Sequence, residues 1–237
     1  MDSNLIITQF ERLKQHGMAE AVRDLLMIPV QLRPSLENAL VKIAEAEIRH
    51  RDDAKTARLL KGAKLYCEPL IEDIICSSPR NLTKDTLESV ADCGFIRRGE
   101  NLVITARTGC GKTYLACAIG HKTLYMNMNH FVHHLKGAIV QGMAEDFFEK
   151  LNKNDLLIFD DFGLQPIDEA SRLALLTLLE DRYERKSVIV TSQLSFDKWY
   201  DYIGQTTVAD AILDRIIHTS HLIRLEGESL RKRNRKL

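Results

Sequence analysis

Between residues 101 and 119 an apolar run, NLVITA, passes through a small polar loop, RTGCGKT, into a stretch with helical spacing, YLACAI. A loop of this kind works only at the carboxyl end of a strand that feeds a helix, so it constrains the fold more than any other segment. Positions 106–113 read Ala-Arg-Thr-Gly-Cys-Gly-Lys-Thr against the phosphate-loop pattern G-x-x-x-x-G-K-[ST], and only the first glycine is replaced, by Ala106. Gly109 and Gly111 let the backbone curl so that its N–H groups face an anion. The helix that follows adds the positive end of its dipole. Lys112 is expected to bring a point charge to the β- and γ-phosphates of a nucleotide, and the Thr113 hydroxyl to bind Mg²⁺. The expected nucleotide-binding set is therefore Ala106, Arg107, Thr108, Gly109, Cys110, Gly111, Lys112 and Thr113. Alanine at 106 is tolerable where φ is negative and costs on the order of 1 kcal/mol where it must be positive.

The same texture runs through the rest of this half. Apolar runs at 101–106, 123–128, 156–160, 187–192 and 221–225 alternate with helical patterns. Strands separated by helices, each strand an apolar run, predict a parallel sheet covered on both faces. Residues 1–90 read as helical instead. Pro29 and Pro34 punctuate them, Ser35 opens a longer helix, and Leu36, Ala39, Leu40, Ile43 and Ala46 form its apolar stripe. The predicted organisation is a helical N-terminal domain over 1–90 and an α/β domain over 91–237.

A second motif reinforces the first. NDLLIFDDFG is an apolar strand that ends in Asp160 and Asp161, at the sheet end where open α/β folds bind ligands. Asp160 is expected to hold Mg²⁺ through its water shell, and Asp161 to orient or deprotonate an attacking water. The sequence DFG at 161–163 also occurs in kinases, but no H-R-D catalytic loop precedes it. The strand end VIVTSQL places Ser192 and Gln193 where a polar amide can sense a terminal phosphate.

Composition narrows the alternatives. Thirty-three basic and thirty-three acidic residues cancel, so no global charge marks a nucleic-acid binder. Local asymmetry remains in Arg49, Arg51, Lys55, Arg58, Lys61 and Lys64, whose spacing makes a basic stripe on a helix, and in the basic run at 231–236. Five scattered cysteines form no C-x-x-C pair, which fits reduced thiols in a cytoplasmic protein. No signal-peptide pattern opens the chain, and no apolar run approaches the ~18 residues of a membrane span. His130, His133 and His134 share helical spacing but lack a carboxylate or cysteine at supporting positions, so a solvated helix face is expected. Trp199 and Tyr200 are expected to pack a loop.

Taken together, the runs RRGENLVITARTGCGKTYLACAIG, NDLLIFDDFGLQPID, DRYERKSVIVTSQLSFDKWYDYIG, ADAILDRIIH and IRLEGESLRK resemble the IstB-type ATPases. These are insertion-sequence transposition helpers of the AAA+ class, related to the DnaC helicase loaders. The resemblance covers nearly the whole chain. It implies an AAA+ type P-loop NTPase, a three-layer αβα parallel sheet behind a small all-helical N-terminal domain. It further implies a helper ATPase that binds ATP with Mg²⁺, assembles as a homo-oligomer on double-stranded DNA, and recruits or stimulates a transposase. A helicase loader in replication and a non-hydrolysing DNA-binding scaffold are the alternatives in the same fold. By position, Lys112 and Thr113 fall in Walker A, Asp160 and Asp161 in Walker B, and Gln193 at sensor 1. Arg215 resembles an arginine finger for a neighbouring subunit's γ-phosphate, and Arg231 a sensor-2 residue. With phosphate contact in such a family, the basic stripe is expected to bind DNA with salt sensitivity and little sequence preference.

Two departures stand out. The family usually reads Gly-Pro where this chain has Ala106-Arg107. The crossover after the loop is also short: a helix of about 9 residues spans only ~13 Å, against ~17–20 Å for a typical strand. The strand at 123–128 is therefore expected to reach the far side of the sheet with difficulty, which puts ATP hydrolysis in question.

Overall fold

The computed structural model describes residues 3–67, 69–120 and 123–230. The chain divides into two compact units, Met1–Leu59 and Leu60–Leu237. In the first, helices α1 (Ser3–Arg12), α2 (His16–Met27) and most of α3 (Leu36–Ala63) enclose a small core of Ile7, Ala19 and Val22. Helix α2 meets α3 at Gly17, where a Cβ would lie 2.5 Å from the Ala46 carbonyl oxygen, so no larger residue fits. The Glu47 carboxylate accepts from the Met18 N–H at 3.2 Å and from Arg51 Nε at 2.7 Å, placing a negative charge at the start of α2. Burial works to raise the pKa of this carboxyl, but the Arg51 and Met18 hydrogen bonds outweigh it and leave it lowered. Ser35 opens α3 as expected, its hydroxyl 3.4 Å from the Asn38 N–H. The expected apolar stripe is only partly used, because Leu36 and Leu40 are exposed while Ile43 joins the core. Arg49, Arg51, Lys55, Arg58, Lys61 and Lys64 are all exposed.

The second unit is a five-stranded sheet in the order β2-β3-β4-β1-β5, with every pairing parallel. Its strands are β1 (Asn101–Thr105), β2 (Thr123–Asn127), β3 (Leu156–Phe162), β4 (Ser187–Ser192) and β5 (Ser220–Arg224). Side-chain alternation divides them between two cores. Leu102, Ile104, Ile158 and Ile189 face helices α4 (Lys84–Ala91), α5 (Gly94–Arg97) and α6 (Lys112–Ile119). Val103, Leu157, Phe159 and Val190 face α7 (Met128–Val140), α8 (Ala144–Asn152), α9 (Glu169–Arg182), α10 (Asp197–Ile203) and α11 (Thr206–Ile217). This is the three-layer αβα arrangement. Trp199 is fully buried against Phe162 and Phe196, as its packing role requires, and Tyr200 bonds Asp210 at the surface.

Two expectations change. The units divide at Leu59/Leu60, not after residue 90, because Leu82, Leu87 and Val90 pack into the same core as Leu102 and Ile104. The short crossover does not displace β2, which pairs with β3 residue for residue from Thr123↔Leu156 to Asn127↔Asp160. Helix α6 packs on β1, β4 and β3, so it crosses the sheet instead of running along one strand, and a short helix suffices. Residues 121 and 122, inside that crossover, lie outside the described residues, as do Arg231 and the basic run after it. No described helix is long and apolar enough to cross a membrane.

Candidate functional site

The cleft at the carboxyl end of the sheet is built by three strand ends and one loop. Where β1 stops, the Ala106 N–H donates to the Ser192 carbonyl at 3.1 Å and the Leu225 N–H to the Thr105 carbonyl at 2.8 Å, pinning the loop's root between β4 and β5. The loop then turns through Gly109 at φ +85° and Gly111 at φ +88°, a region that disfavours side chains, and enters α6 at Lys112. Ala106 is absent from the positive-φ residues, so its methyl group carries no backbone strain.

Thr108, Gly109, Gly111, Lys112 and Thr113 line a cleft of about 760 Å³. Ala106, Arg107 and Cys110 do not. Arg107 is exposed on the loop's other side, where a second hollow also takes in Ala106. The Cys110 thiol is buried, 3.4 Å from the Gly227 carbonyl. The ammonium of Lys112, almost wholly buried, reaches back to the Arg107 carbonyl at 3.3 Å.

Across the cleft, the buried Asp160 carboxylate gathers three hydroxyls. Thr113 Oγ1 lies 2.9 and 3.0 Å from its two oxygens, Tyr125 donates to Oδ2 at 2.7 Å, and Thr191 donates to Oδ1. Burial, then the bond to Asp160, pushes the Tyr125 pKa up, which keeps that phenol a donor. Side chains along a strand alternate between faces, so two adjacent acids should not serve one cleft. They do so here because the β3–β4 register shifts between Phe159 and Phe162, and Asp161 takes a left-handed conformation at φ +58°. The Asp161 N–H donates to Thr191 Oγ1 at 3.2 Å, and its Oδ2 accepts from Asn127 Nδ2 at 3.1 Å. Gln193, just past β4, accepts from the Thr108 hydroxyl at 2.6 Å. Ser192 turns away into the fold, donating to the Phe162 carbonyl at 2.6 Å. Thr113 and Asp160 offer adjacent hard oxygens beside the phosphate loop, a donor set suited to a Mg²⁺ that takes its remaining ligands from phosphate and water.

Tyr125, Asn127 and Thr191, and Arg80 at the edge of the cleft, escaped the sequence reading. Asn127 alone carries a local signal, as the cap of α7, its Oδ1 accepting from the Asn129 N–H at 3.0 Å. Arg215 is not among the cleft residues. It lies on α11, 3.3 Å from Glu180 and 3.5 Å from Asp214, with its guanidinium 6.0 Å from the Tyr183 ring centroid. His130, His133 and His134 are exposed on α7.

Comparison with known proteins agrees with this geometry. A family described as IstB-like ATP binding protein matches residues 8–237. A Sinorhizobium fredii protein named as an insertion sequence ATP-binding protein is 38% identical over an alignment of 227 residues, with 93% of each chain covered. Among solved structures, AMPPCP-bound DnaA from Aquifex aeolicus has a TM-score of 0.58 at 20% identity, covering 73% of this chain and 56% of that one. The DnaC helicase loader has a TM-score of 0.56 at 18% identity, covering 69% of this chain and all of that one. Those two likenesses place the sheet and its helices in the AAA+ fold. By its match over almost its whole length, the chain belongs to the family of IstB-like ATP-binding proteins.

Proposed function

We propose that this ATP-binding protein is a helper ATPase that assembles on double-stranded DNA and recruits or stimulates a transposase. The observation that carries the catalytic part is the placing of Lys112, Thr113, Asp160 and Asp161 around one cleft. The names of the relatives, which refer to insertion sequences, support the transposition part.

Lys112 and the curled loop hold the phosphates. Thr113 and Asp160 are the residues that would hold Mg²⁺, which neutralises charge on the β- and γ-oxygens when bound. Asp161, held by Asn127 on one oxygen, orients the attacking water and takes up its proton. Gln193 exchanges its bond from Thr108 for one to the γ-phosphate or its water, and so reports whether that group is present. Arg215 acts on the γ-phosphate of a neighbouring copy. The exposed cations of α3 meet the DNA backbone.

ATP turnover with and without double-stranded DNA tests the reading. Wild type should turn over faster with DNA, and Lys112→Ala should abolish turnover. A wild type that binds ATP without turning it over leaves only a DNA-bound scaffold. DNA affinity at two salt concentrations tests the α3 cations: affinity indifferent to salt is incompatible with phosphate contact.

A further inference from the structure

Arg80 stands at the edge of the nucleotide cleft and has no acidic partner among the described residues. It lies in the turn closed by the short antiparallel bridge Ser77↔Leu82, and its backbone carbonyl accepts from the Glu226 N–H at 3.0 Å, which fixes where the side chain begins. The half-buried guanidinium donates from Nη1 to the Ile75 carbonyl at 2.5 Å and from Nη2 to the Cys110 carbonyl of the phosphate loop at 2.7 Å. A Cβ built on Gly111 would lie 3.3 Å from the same Nη2, so the cation rests directly against the loop's second glycine. Among the described residues it makes no ion pair.

A partly desolvated charge without a counter-charge is costly, and carbonyl dipoles answer it only in part. Arg182 shows the structural alternative. It is 1% exposed, donates to the carbonyls of Leu151, Asn154, Asp155 and Ser187, and is sealed from any cleft. Arg80 spends its bonds on two carbonyls and borders the cleft that Lys112 serves. A planar fork held in place in this way suits phosphate oxygens.

We infer that Arg80 is a nucleotide-binding residue, a second cation whose anion is the phosphate chain of the nucleotide held by the loop. The inference rests on the ATP site described above. Calorimetric affinities for ATP, ADP and adenosine, measured on wild type, Arg80→Met and Arg80→Lys, test it. Arg80→Met should weaken ATP and ADP about tenfold to a hundredfold and leave adenosine unchanged. Arg80→Lys, which keeps the charge and loses the fork, should recover part of that loss. Each variant is its own control, because the phosphorylated ligands are compared with adenosine on the same protein. If Arg80→Met does not fold, the Arg80→Lys ratio decides, with a selective loss for ATP and ADP expected. Equal loss for all three ligands makes Arg80 only a strut of the cleft wall and overturns the inference, as does unchanged ATP affinity. A wild type that binds neither ATP nor ADP fails at the site itself, a different result.

Discussion

Ala106 occupies the place of the first glycine in the phosphate-loop pattern, and its backbone conformation decides whether the exchange matters. Its φ is not positive, so the methyl group is accommodated without strain. Ala106→Gly should therefore leave ATP affinity unchanged and lower stability by about 0.4–1 kcal/mol or somewhat more, through the freer unfolded chain together with the loss of a buried methyl group, as urea unfolding would show. Gly111 is the opposite case. At φ +88° beside Arg80, Gly111→Ala should strain the loop by at least ~1 kcal/mol and weaken ATP binding. Asn127→Ala frees the Asp161 carboxylate while leaving the phosphate loop intact. Turnover should fall on the order of 10²-fold with ATP affinity preserved, a split that single-turnover and binding measurements separate. Lys112, Thr113 and the two aspartates were legible because loop and strand each spell their chemistry in consecutive residues. Tyr125, Asn127, Thr191 and Arg80 were not, because their roles depend on β2 and β4 flanking β3 and on a turn folded against the loop.

Helices and strands answer to neighbours that local pattern does not name. All five strands were visible as apolar runs, since a sheet buried on both faces needs them. The 60–90 segment read as part of a helical domain, yet Leu82, Leu87 and Val90 belong to the sheet's core. Nothing in their spacing distinguishes which surface they cover. The ion pair between α7 and the start of α9 was equally invisible in sequence. Lys136 Nζ lies 2.6 Å from Asp168, which also caps α9 by accepting from the Ser171 N–H at 2.9 Å. Lys136 first, then Ser171, lowers the Asp168 pKa to about 2. The folded value thus lies below the ordinary ~3.9 of an unfolded aspartate, so ionised Asp168 stabilises the fold above that pH. The stabilisation declines as pH falls from there through about 2. With the side chain 40% exposed, screening limits the contribution to roughly 0.5–1 kcal/mol. Asp168→Asn should lose about that much at pH 7, and its deficit against wild type should close in acid unfolding curves as pH drops from about 5 to 2.

For the whole molecule, the residue that tests the proposed assembly is one that lies outside its own cleft. Arg215 is tied to Glu180 and Asp214 on α11 and lies outside the lining of the cleft that holds Lys112. A role in hydrolysis therefore requires a second copy of the chain. Pairs as exposed as these are weak, so releasing Arg215 to a stronger partner such as a γ-phosphate costs little. The consequence is a complementation experiment. Lys112→Ala keeps a working arginine beside a disabled cleft, and Arg215→Ala keeps a working cleft without the arginine. Each alone should be inactive, and Arg215→Ala should still bind ATP. Mixed with ATP and DNA, the two should regain turnover, because some interfaces then join an intact cleft to an intact Arg215. Sedimentation of the same mixtures should show larger assemblies with ATP than without. Persistent inactivity in a mixture that does assemble removes Arg215 from the chemistry and returns it to holding α11 against α9.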